Sequence, residues 1–93
     1  MNIGHALKMC RSARKLSLDA LAELTELSQS YLSMIESNKR EPTLATVEKI
    51  AKALNVPTPI IMFLAAEKDE LKGFDAETSS RLSVAAMNVI RAV

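Results

Sequence analysis

The chain has 93 residues, a formal net charge of +1, 48% hydrophobic residues and 3% aromatic ones. That length holds one domain with a short appended element, close to the lower limit for a self-sufficient core, so dense helix packing or oligomerisation is expected. The weak net charge argues against a non-specific polyanion binder, while leaving room for a specific one that concentrates a few cations at phosphate positions.

The aromatic residues are Tyr31, Phe63 and Phe74, so the core must be built from Leu, Ile, Val, Ala and Met. Two glycines and three prolines leave long stretches without breakers, and β-branched residues do not alternate, which together imply an all-α fold. Cys10 is the lone cysteine and His5 the lone histidine, too few for an internal disulfide or a metal set, so neither metal nor cofactor is expected. Cys10 reads as a small core residue and His5 as a surface or packing residue. No run of roughly 18 apolar residues and no secretory N-terminal pattern is present.

The first helix is expected from Ile3 to Arg14, with Ile3, Ala6, Leu7, Cys10 and Ala13 on one face and Lys8, Arg11 and Arg14 mostly off it. Ser17 caps a second helix, Leu18 to Thr25, that buries Leu21, Ala22 and Leu24. After a break at Glu26-Leu27, Ser28 caps a third helix from Gln29 to Glu36, with Leu32 and Ile35 inward. Residues Ser37 to Pro42 form a polar loop. Thr43 caps a fourth helix with the face Leu44, Val47, Ile50, Ala51 and Leu54, stopped by Asn55 in the left-handed region and by Pro57. Thr58 is expected to cap a fifth helix with Pro59 at its first position. Polar residues from Glu67 to Lys72 and Gly73 end that unit, and Asp75 caps a last helix.

Two short capped helices joined by a tight turn, Ser17 to Glu36, form a helix-turn-helix arrangement. Leu21, Ala22, Leu27, Leu32 and Ile35 hold the positions buried where the two helices cross, and Ala22 must be small there. The outward face of the third helix is Gln29, Ser30, Ser33 and Met34, side chains small or adaptable enough for close approach to base edges.

The runs Leu16 to Glu23, Leu27 to Glu36, Asn38 to Leu44 and Val47 to Val56 are similar to the phage repressor and Cro-like (Xre-type) helix-turn-helix family. The resemblance extends from Ile3 to Leu64 and implies a five-helix, lambda-repressor-like DNA-binding domain. Position by position, it implies base contacts from Gln29, Ser30, Ser33 and Met34. Gln29 can pair with adenine N6 and N7, worth ~1–3 kcal/mol of discrimination, and Met34 can lie against a thymine methyl. Ser17, Ser28, Tyr31, Asn38, Lys39 and Arg40 match phosphate-contacting or loop positions, which set register and affinity. Arg11 and Glu36 match a buried ion pair, whose disruption costs ~3–5 kcal/mol when fully buried. Leu18 departs from the family's phosphate-binding glutamine. Glu26 departs from a glycine with positive φ, costing ~1 kcal/mol if it is left-handed. Asn38 stands where the loop often has glycine, and asparagine tolerates that conformation.

Residues 1–72 are therefore expected to be the DNA-binding domain, and residues 73–93 an apolar helix that dimerises the chain. Nine of the last twelve residues are apolar, wider than one stripe facing a small core, and Leu82, Ala86, Val89, Ile90 and Val93 are the expected dimer contacts. The leading expectation is a dimeric repressor of phage type on a palindromic operator in double-stranded DNA, cytoplasmic and nucleoid-associated in a bacterial or phage-infected cell. A controller of a restriction-modification operon or a self-repressing antitoxin shares that chemistry. The alternative class is a protein-interaction module whose C-terminal part grips a toxin or antirepressor, with or without DNA binding. No Ser/His/Asp set, carboxylate pair or glycine-rich phosphate loop gives catalysis a visible means, so no enzyme is expected.

Overall fold

Short polar side chains start four of the helices. Asn2, Ser17, Ser28 and Thr43 each accept a hydrogen bond from the backbone amide three residues on, satisfying a donor that a helix start leaves unpaired. They open α1 (Ile3–Ala13), α2 (Leu18–Thr25), α3 (Gln29–Glu36) and α4 (Leu44–Leu54) in the computed structural model, which describes residues 1–66 and 76–92. α5 (Thr58–Ala65) starts differently. Pro57 occupies the cap position with φ −57°, and Thr58 is the first helical residue rather than the expected cap. Proline's fixed backbone sets the helix start here without a side-chain bond. α6 (Ala76–Ala92) completes an all-α fold among the described residues.

Three helix ends share one device. Lys15, Asn38 and Asn55 sit in the left-handed region at φ 59°, 61° and 57°. In each case the following amide reaches back five residues, from Leu16 to Arg11 O, from Lys39 to Met34 O and from Val56 to Ala51 O. That closure satisfies carbonyls the helix would otherwise leave open and turns the chain sharply. None of these positions is glycine.

The core is aliphatic. Ala6, Leu7 and Cys10 of α1 meet Leu21 of α2, Leu32 and Ile35 of α3, the Val47–Leu54 face of α4, Ile61 and Ala65 of α5, and Ile90 of α6. α1 packs on α3, α4, α5 and α6, while α2 packs on α3 and α4, so α1 is the post around which the other helices are arranged. Two expected core residues are instead exposed. In α2 the inward line runs through Leu18, Leu21, Ala22 and Thr25, and Leu24 falls off it by about one residue's rotation of 100°. Leu44, at the first position of α4, is exposed a turn before the buried run begins at Val47.

The last helix belongs to this core rather than standing apart from it. α6 packs on α5 and α1, with Ala86 4% and Ile90 0% exposed. Those two expected dimer contacts are thus enclosed by the chain's own helices, since the side of α6 that carries them packs on α1 and α5. Leu82 and Val84 of the same helix remain exposed. Phe74, Gly73, the Asp75 cap, Val93, the side chain of Val89 and the expected boundary at 72/73 lie outside the described residues.

Candidate nucleic-acid interface

Local sequence fixes the turn between α2 and α3. Thr25, one turn beyond Leu21, is fully buried; its hydroxyl donates to Leu21 O at 2.8 Å and accepts from Leu27 N at 3.3 Å. Between them Glu26 takes φ 59°, the conformation that reverses the chain. Leu27 then packs against the core and Ser28 begins α3.

α3 presents two opposed faces. Leu32 and Ile35 are buried, while Gln29, Ser30 and Ser33 are exposed and Met34 is half-buried. At 100° per residue the four outward side chains span an arc of about 140°, centred opposite the buried pair. Gln29 and Ser30 occupy the first two helical positions, so the helix would enter a groove by its N-terminal end.

Of the candidate phosphate-contacting residues, Ser17 caps α2, Ser28 caps α3, Tyr31 lies on α3, and Asn38, Lys39 and Arg40 follow its end. Ser17 and Ser28 Oγ are occupied as acceptors from Ala20 N (3.1 Å) and Tyr31 N (3.0 Å), yet each hydroxyl still has its proton to donate to a phosphate oxygen. Lys39 and Arg40 are exposed in the loop after α3, and the Arg40 guanidinium lies 5.5 Å from the centre of the Tyr31 ring. That cation–π contact folds the loop back along α3. Leu18, standing where the family has a polar residue, is half-buried and packed on the core, so it serves α2 packing rather than the DNA-facing surface.

The scaffold behind α3 holds its C-terminal end. Arg11 Nε and Nη2 donate to the two Glu36 carboxylate oxygens at 2.7 and 3.0 Å, and Nη1 donates to Leu16 O at 2.7 Å. The hydrogen bond to Glu36 raises the Arg11 pKa above its ordinary value, so the guanidinium holds its charge in this half-buried position. Beside it Cys10 is buried, and the lost solvation pushes its thiol pKa up against a smaller opposing effect of Arg14.

Several residues that position this surface went unread in the sequence. Gly4 lies where α1 crosses the end of α3, too close for any side chain. A glycine inside the first turn of a helix is disfavoured by ~1 kcal/mol relative to alanine, which is itself a signal that the position is crowded. Asn2, immediately before the apolar pattern of α1, carried the ordinary cap signature. Thr25 could have been found as the fourth residue after buried Leu21. Arg14 was placed off the core face, but it donates to Leu54 O at 2.8 Å, to Asn55 O at 2.9 Å and to Ile90 O, tying α1 to the ends of α4 and α6.

Known proteins bear on the same region. Residues 7–61 match the helix-turn-helix family, from the middle of α1 to the middle of α5. The chain is 37% identical over 81 residues to the immunity repressor protein of Bacillus phage phi105, covering 87% of this chain and 54% of that protein. It is 51% identical over 51 residues to the HTH-type transcriptional regulator SutR of Escherichia coli, covering 55% of this chain and 29% of the regulator. Over 60 residues it is 35% identical to the control protein C.SmaI of Serratia marcescens, covering 64% of this chain and 71% of that protein. The chain thus spans about half or less of the length of the first two. With its two capped helices, its tight left-handed turn and this matched span, the chain belongs to the helix-turn-helix family.

Proposed function

We propose that the protein is a repressor of phage type that binds a palindromic operator as a homodimer, laying α3 in the major groove. The observation that carries the reading is the α3 face itself: uncharged Gln29, Ser30 and Ser33 exposed and Met34 half-buried beside them, with Ser28 capping the helix and Lys39 and Arg40 exposed in the loop that follows it. Bare amide and hydroxyl groups read base edges, while the surrounding cations and hydroxyls grip phosphates. Gln29 takes adenine and Met34 a thymine methyl. The similarity to a phage immunity repressor favours repression over activation.

The second copy docks along α6. Val84 is 61% exposed there, and Leu82 and Ala85 join Ile60 and Phe63 in an apolar groove between α5 and α6. A two-fold axis at that groove would set two recognition helices ~34 Å apart, one turn of duplex. Doubling the phosphate contacts offsets the weak net charge of each subunit. A shift assay on the DNA upstream of its own gene, run across a salt series with sedimentation of the free protein, tests this reading. Steeply salt-sensitive binding of two chains per operator is expected. Salt-insensitive or absent binding, with the chain instead capturing a toxin-like protein, would select the interaction-module alternative.

A further inference from the structure

The first turn of α1 and the end of α3 meet at Asn2 and Gly4, which the base and phosphate assignments leave unused, and at Asn38. A Cβ placed on Gly4 would lie 2.3 Å from Ile35 O, 3.0 Å from Glu36 O and 2.6 Å from Asn38 Oδ1. The first two are backbone atoms, so no rotamer change relieves the contact. α1 can rest on the end of α3 only because residue 4 has no side chain.

Asn2 extends the same seat to the loop. Its Oδ1 accepts from His5 N at 3.0 Å, capping α1, and from Asn38 Nδ2 at 2.9 Å. Its own amide donates to Ala65 O at 2.6 Å, anchoring it to the end of α5. Asn38 is the left-handed residue at which the chain leaves α3, its backbone amide bonded to Ile35 O. The residue before Lys39 and Arg40 is therefore held by α3 through its backbone and by α1 through its side chain. Beyond it Lys39 N and Arg40 N donate to Met34 O at 2.8 and 3.2 Å, so the loop turns on the end of α3 and Asn38 is its link to α1. A cleft of about 270 Å³ separates Met1, Ile3 and Gly4 from Arg40, Glu41 and Pro42.

Resting on the DNA-binding reading above, we propose that Asn2 and Gly4 are positioning residues for operator binding. The first turn of α1 sets the pose of Lys39 and Arg40 through the Asn2–Asn38 bond, and the pose of the α3 end through the bare Gly4 surface.

The test separates this role from helix capping. Asn2→Ser keeps a good cap and the backbone bond to Ala65, but its short hydroxyl cannot also reach Asn38. Asn38→Gly keeps the left-handed backbone and removes the bridging amide. Both full-length variants, their double mutant, and Gly4→Ala are titrated with an operator duplex selected from random DNA, alongside thermal melts. Each of the two bridge variants is expected to weaken binding three- to tenfold, with a shallower salt dependence, unchanged base preference and a melting temperature within a few degrees of wild type. The double mutant should bind no more weakly than the weaker single, since both remove one bond. Gly4→Ala should cost more than tenfold and blur base preference as well, because it moves α3. Bridge variants that bind within twofold of wild type, or whose losses multiply in the double mutant, overturn the proposal while leaving the DNA-binding reading intact. A wild-type chain that binds no duplex overturns both.

Discussion

Glu26 in the α2–α3 turn and Lys15 after α1 both hold φ at 59°, where an L side chain crowds the following carbonyl. Both are exposed, so a glycine there relieves strain without opening a cavity. Glu26→Gly is expected to stabilise by about 0.5–1 kcal/mol, raising the melting temperature by a few degrees and leaving operator affinity unchanged. A calorimetric scan checks it. The Glu26 and Asn38 conformations were legible through the family resemblance, since both stand where relatives often hold a glycine. Lys15 was not, since nothing in a lysine advertises a left-handed backbone. Cys10 supplies a pH dependence at the same scale. Burial raises its pKa, so the folded chain binds its proton more tightly than the unfolded chain does. That contribution is fully present below the unfolded pKa and is lost as pH rises from there through the folded pKa. Wild type should therefore lose stability as pH climbs past 9.0, the ordinary value for this thiol, and Cys10→Ala should show a flatter alkaline limb in denaturant titrations.

Among elements, the relation of α1 to α3 decides whether the outward face of α3 is rigid. The Arg11–Glu36 pair spans that junction with side-chain exposures of 14% and 8%, so it is shielded but not sealed from water. Arg11→Ala leaves Glu36 partly buried without its partner and is expected to destabilise by about 2–3 kcal/mol, below the range for a fully enclosed pair. Arg11→Lys should recover little, because an ammonium cannot make the two-pronged contact and also reach Leu16 O. Chemical denaturation of the three proteins measures both effects. The helices themselves were legible from apolar spacing and caps, and their ends agree with the sequence to within a residue or so. Spacing failed at Leu24 and Leu44 for different reasons. Leu24 lies between two stripes, which a short helix cannot distinguish, and Leu44 lies at a helix start, where periodicity says nothing of whether a neighbour extends that far.

At the scale of the whole molecule, Arg14 gathers three helices by donating to carbonyls at the ends of α4 and α6 from the end of α1. A cation among helix C-termini is favoured by their aligned dipoles as well as by the bonds. Arg14→Ala should release α6, seen as faster amide exchange across residues 80–92 with the α2–α3 region unchanged. Uniform acceleration over the whole chain would show that α6 is not a separable unit. The width of the apolar face on α6 was legible in sequence, but how it divides between its own core and a partner was not. Ala86 and Ile90 are inward because α6 packs on α1 and α5, a fact that only tertiary packing supplies. In the proposed complex, operator recognition depends most on Gln29, Ser30, Ser33 and Met34 touching bases. Binding of wild type and Gln29→Ala to every single-base variant of a selected operator tests that contact directly. Wild type should lose ~1–3 kcal/mol when one particular adenine is replaced, and Gln29→Ala should bind the original and the replaced duplex alike. A Gln29→Ala protein that keeps the full preference of wild type at every position would contradict it.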